Sequence, residues 1–109
     1  MINTLLIKGI AMYKYRIVTI KNVNIEWYPK DPSLETHLNE TYINTGIMSL
    51  VTISNESSNS TDILTKEVTF INEESFVRYK TDPLIVEYIV GRNAYEANNS
   101  IVRIKENIV

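Results

Sequence analysis

With 109 residues, the chain has the length of one domain built around a single two-layer core. Its 44% hydrophobic and 22% charged residues are ordinary for a folded globular protein, and a formal charge of −2 with scattered Lys and Arg argues against a nucleic-acid partner. No cysteine is present, which excludes disulfides, thiolate metal sites and cysteine nucleophiles and fits the reducing cytoplasm.

The opening residues MINTLLIKGIA form a short apolar stretch around Lys8, far below the ~20 residues that a membrane span requires, so no membrane partner is expected. Patterning sharpens at Met12. Residues 1–11 are therefore expected to be a loosely attached extension, with 12–109 as the domain and Met12 as its natural start or its edge; the alternative is an extra edge strand through Leu5 and Ile7. From Tyr13 to Tyr28 the apolar residues Tyr13, Tyr15, Ile17, Val23, Ile25 and Trp27 alternate with polar ones, Val18 and Ile20 excepted, predicting one long strand with a bulge or bend near Lys21-Asn22. Asp31-Pro32 then has the chemistry of a helix start, a capping carboxylate followed by a residue with no N–H to lose. Leu34, His37, Leu38, Thr41 and Tyr42 share one helical face, and Gly46 is placed to close a helix over 32–44.

IMSLVTIS (47–54) and ILTKEVTFI (63–71) predict two strands, joined as a hairpin by the polar loop NESSNSTD (55–62). Asn72 followed by Glu73 and Glu74 predicts a second helix start, with Phe76 and Tyr79 facing inward. Asp82-Pro83 repeats the chemistry of Asp31-Pro32 and predicts a further helix over 83–97, kinked from the one before it so that two short segments wrap a twisted sheet. SIVRIKENI (100–108) predicts a last, edge strand. The expected fold class is α+β: a ferredoxin-like β-α-β-β-α-β chain, with two helices, the second kinked, on one face of a four-stranded antiparallel sheet.

EVTFINEESFVRYKTDPLIVEY (67–88), preceded by GIMSLVTIS (46–54), resembles the dimeric α+β barrel proteins, the group named for antibiotic-biosynthesis monooxygenases. The tail RNAYEANNSI (92–101) is similar to that of small tailed-phage proteins. The resemblance implies a homodimer formed by pairing two sheets face to face, and an accessory role in a phage or mobile element, in the host cytoplasm or the virion. Enzymes of the group lean on a His in the second helix with nearby Asn and Trp. This chain carries Arg78, Tyr79 and Lys80 in the matching region, which points away from catalysis.

Val18, Ile20, Met48 and Leu50 fall out of phase with a single inward face and are the expected dimer interface. Trp27, His37, Tyr42, Tyr79 and Tyr88 are the expected lining of any cavity between sheet and helices. His37 is the one histidine, too few for a metal site, and no glycine-rich phosphate loop occurs, so no cofactor is expected. Few titratable residues fall at apolar positions. That favours a non-catalytic homodimeric domain acting through protein contacts; the alternatives are a small cofactor-free monooxygenase or isomerase, or a small-molecule binder, using that cavity.

Overall fold

Alternating apolar side chains build β1 (Tyr13–Asn22), which stops where Asn22 turns the chain. The Asn22 side-chain oxygen accepts the Asn24 N–H at 2.8 Å, and the Asn22 carbonyl accepts that of Ile25 at 3.0 Å. The strand expected to run on to Tyr28 therefore ends early, because a short polar side chain offers the backbone a local turn in place of a sheet partner. The structure, a computed structural model, describes residues 13–108; the expected extension 1–11 and the start at Met12 lie outside them.

Asp31 caps α1 (Pro32–Leu38), accepting the N–H groups of Ser33 and Leu34. The helix widens into a π-helical turn over Asn39–Ile43, where the Asn44 N–H reaches back to the Asn39 carbonyl at 2.7 Å. Helix and turn together fill the expected 32–44. Tyr42, 1% exposed, enters the core from the wide turn. Gly46, at φ +81°, then takes the left-handed conformation that closes it.

β2 (Met48–Ser57) and β3 (Thr61–Phe70) form a longer hairpin than expected, with a connection of only 58–60. Polar residues 55–57 pair with 62–64 across it, since a ladder needs backbone groups and not apolar side chains. Ser58 Oγ accepts the Thr61 N–H at 3.1 Å, and Ser57 Oγ donates to the Asp62 carboxylate, so the polar stretch stabilises its own tight turn. A bulge lies between Thr52 and Ser54.

Asn72 accepts the Ser75 N–H at 2.8 Å and starts α2 (Glu73–Thr81). Asp82 ends it and, through its side chain, accepts the Leu84 N–H at 3.0 Å to start α3 (Pro83–Asn98). The expected second start at Asp82-Pro83 is thus present. β4 (Val102–Asn107) completes an open sheet of order β2-β3-β1-β4, every neighbouring pair antiparallel. The described residues form an α+β fold with three helices, where two were expected, and a four-stranded antiparallel sheet.

The core is Tyr15, Tyr42, Met48, Val68, Phe70 and Phe76, joined by aromatic pairs such as Phe70–Phe76 at 5.5 Å between centroids. Two expected interface residues belong to this side. Met48 lies opposite Phe70 and is 4% exposed, and Leu50 lies opposite Val68 on the same face. IMSLVTIS is apolar in both phases, so pairing with β3, not the sequence of β2, selects its inner face. Val18 and Ile20 do lie on the opposite face, which no helix of the described residues covers. Ladder pairing joins them there to Ile63, Val102 and Ile104.

Candidate functional site

Between the helices and the inner sheet face lies a cleft of about 390 Å³. Its apolar wall includes Tyr15, Ile17, Leu38, Val68 and Tyr79. Of the expected cavity residues, Tyr79 and Tyr88 line it, whereas Trp27, His37 and Tyr42 do not. Trp27 follows the Asn22 turn, and its ring lies 4.8 Å from the buried ammonium of Lys21. That ammonium also donates to Asp62 at 2.7 Å. Tyr28 packs against α3 between Tyr88 and Tyr95, at 5.2 and 5.4 Å. A β-carbon at Gly91 would stand 2.5 Å from the Tyr28 hydroxyl oxygen, so glycine there lets the segment lie close to the helix.

The cleft is also strongly cationic, contrary to the expectation of few titratable groups at apolar positions. Lys66 and Lys105 flank Ile17 on the two neighbouring strands, and Arg103 sits one row further along, beside Thr19. Arg92 lines the cleft from α3. With Lys30 and Lys80, six cations face two carboxylates, Asp31 and Glu35, in a chain whose overall charge is −2. Arg103 is neutralised by buried Glu96, donating from Nε at 2.9 Å and from Nη2 at 2.7 Å. Among the described residues, Lys66, Lys105 and Arg92 have no carboxylate partner. Burial, then neighbouring Lys30 and Arg103, pulls Lys66 below the ordinary lysine range; burial and then Lys80 do the same to Lys105. A signal for these residues was present in the sequence: Lys66 interrupts the phase of Leu64, Val68 and Phe70, and Arg92 falls seven residues, two turns, after Ile85.

His37 belongs to a second cluster, centred on the kink between α2 and α3. Asp82 Oδ2 accepts from His37 Nε2 and from the Tyr42 hydroxyl, each at 2.7 Å. A carboxylate only accepts, so Nε2 carries the proton; in the neutral ring Nδ1 then accepts from Thr41 Oγ1 at 3.3 Å. The order hydroxyl, imidazole, carboxylate matches that of a nucleophilic triad. Neither Thr41 nor His37 lines the cleft, however, and the hydroxyl bond is long. The chain fastens α1 to the α2–α3 junction. Burial and the hydrogen bond to Asp82 push Tyr42 up to about 12. At Asp82 burial acts upward, but the bonds from His37, Tyr42 and the Leu84 N–H together hold the carboxyl below its ordinary value.

Two outcomes follow from this cluster. His37→Gln keeps a donor for Asp82 and is expected to cost under about 1 kcal/mol, whereas Asp82→Ala leaves the Tyr42 hydroxyl only the Arg78 carbonyl at 3.4 Å and is expected to cost about 1–3 kcal/mol; urea unfolding of both variants measures the difference. Folded carboxyls held below their unfolded values contribute stability above about pH 4, lost as the pH falls through the depressed values. Asp82, Asp62 (held down by Lys21 and Ser57) and Glu67 (held down first by Arg16) all act in this direction. Thermal melts should be flat from about pH 7 to 5 and fall below about pH 4.

Among the described residues no group of three or more His, Asp or Glu could hold a metal ion, and no helix is long and apolar enough to cross a membrane. The chain matches no protein-family model and no curated protein. A crystal structure of a proposed amidohydrolase/peptidase from Burkholderia cenocepacia aligns with 90% of this chain at 11% identity and a TM-score of 0.43. The alignment spans 28% of that longer chain, and a likeness of this size says nothing of chemistry here.

Proposed function

We propose that the chain is a ferredoxin-like domain that binds a small molecule between its helices and its sheet, without turning it over. The observation that carries this is the cleft of about 390 Å³, a size within the range of ligand pockets, with apolar walls and convergent charged groups. Well-packed interiors leave few voids larger than a water molecule, so a space of this size beside the core favours an occupant. The strand order β2-β3-β1-β4, antiparallel throughout, supports the ferredoxin-like assignment. The placement of the one imidazole outside the cleft supports binding without proton transfer.

The test is titration with the neutral, polarity-sensitive dye N-phenyl-1-naphthylamine. Saturable one-to-one fluorescence enhancement is expected, weakened at least about tenfold by Leu34→Trp, which fills the cleft mouth. No enhancement, or binding indifferent to that substitution, ends the proposal.

A separate observation favours a second reading, homodimerisation through the outer sheet face, as the dimeric α+β barrel resemblance implies. Ile20 is paired with Ile63 on one side and Val102 on the other, and Val18 with Ile104, making an apolar stripe across three strands. Val102 and Ile104 are 51% and 49% exposed. Lys14, Arg16 and Glu67 border the stripe with both signs of charge, which suits a face packed on its own copy by a two-fold axis. Light scattering at micromolar concentration should give twice the chain mass, and Val18→Lys with Ile104→Lys should give a folded monomer. A wild-type monomer refutes the pairing.

A further inference from the structure

Inner faces of two-layer domains are apolar because an unpaired charge there loses its hydration without recovering it. This inner face departs from that rule at one place. Lys66 and Arg92 lie on β3 and α3, far apart in sequence, and the fold brings both to the cleft wall beside Arg103. The Arg92 Nε is buried and meets no acceptor among the described residues, while its Nη2 reaches only the neutral side-chain oxygen of Asn93 at 3.1 Å. Glu96, the one buried carboxylate nearby, is committed to Arg103 through both of its oxygens. Positive charge is therefore left over beside the apolar wall formed by Tyr15, Ile17, Leu38 and Tyr79.

We propose, building on the ligand-binding role above, that the cleft takes an amphipathic organic anion, with an apolar body against Tyr15, Leu38 and Tyr79 and a single carboxylate facing Arg92 and Lys66. A carboxylate offsets part of the surplus positive charge at Arg92 and Lys66, and the apolar wall supplies the binding area. Burial and the nearby Arg103 pull Arg92 below its ordinary value, outweighing the opposite pull of Glu96, which is already bonded to Arg103. A fully polar acid fits less well, since the apolar part of the wall offers it no hydrogen bond.

Decanoate and 1-decanol share one tail and differ in the head group, so their comparison isolates the charge. Leaving water costs a carboxylate more than a hydroxyl, so a cleft without fixed positive charge would prefer the alcohol. Decanoate is expected to displace N-phenyl-1-naphthylamine from the full chain at about a tenfold lower concentration than 1-decanol. Arg92→Met should weaken decanoate about tenfold and shift 1-decanol far less, with circular dichroism checking that the variant is folded; Lys66→Met should act in the same direction, less strongly. Both compounds are also titrated directly by calorimetry, so the comparison does not depend on the dye. Alcohol binding as tight as decanoate, or a decanoate preference that survives both substitutions, overturns the anion assignment while leaving the ligand site. Absence of binding by the dye and by both compounds removes the site itself and the anion assignment with it.

Discussion

Phe70→Ala is expected to lower the melting temperature by about 15–30 °C, the result of losing about 3–5 kcal/mol in a domain of this size. Phe70 is 0% exposed and sits between Tyr13 on β1 and Met48 on β2 in the ladder. Its ring meets Phe76 and Tyr79 at 5.5 and 5.2 Å, so it joins three strands to α2. Alanine removes the contacts on every side at once and leaves a cavity that strands cannot close without breaking register. Phe70→Leu keeps part of the volume and should cost less. Circular dichroism melts of both variants measure the effect, and a loss for Phe70→Ala below about 1 kcal/mol would place the centre of the core elsewhere.

Glu96→Ala has the next largest expected effect. Glu96 is 6% exposed near the end of α3 and receives two hydrogen bonds from Arg103 on β4. Alanine strands the Arg103 cation in a wall that already holds Arg92. Breaking a buried pair from one side costs about 3–5 kcal/mol; the lower end applies here, because the Arg103 side chain keeps 25% of its surface exposed. Replacing both partners, as Glu96→Leu with Arg103→Met, should recover most of the loss, since neither charge is then buried without its partner. Urea unfolding of the two single variants and the double variant forms the cycle. A double variant as unstable as Glu96→Ala would assign the loss to packing of the helix end instead of to the ion pair.

What the sequence alone determined is the set of local elements whose causes are local. Asp31-Pro32, Asn72 and Asp82-Pro83 start helices because a side-chain oxygen meets a free N–H two or three residues on, and Gly46 ends one because it adopts positive φ cheaply. Where both a turn and a strand were locally possible, neighbours decided. Asn22 turned the chain where alternation alone continued to Tyr28, and the polar residues around 55–62 entered the ladder because partners lay opposite them.

Faces and meetings belong to the tertiary structure. Met48 went to the core and Leu50 to the same inner face because a strand that is apolar in both phases takes its inner side from the register with β3, and a one-residue shift reverses every side chain. The Asp82 cap carries more than a helix start: His37 and Tyr42, forty or more residues earlier in the chain, converge on its free oxygen and hold α1 to the kink. The cationic cleft likewise exists only after folding. Lys66, Arg92 and Arg103 come from β3, α3 and β4, and nothing local draws like charges together. Sheet pairing and helix packing place them on one wall, because strand order and helix crossing are set by burial of the whole core, Phe70 and Phe76 foremost.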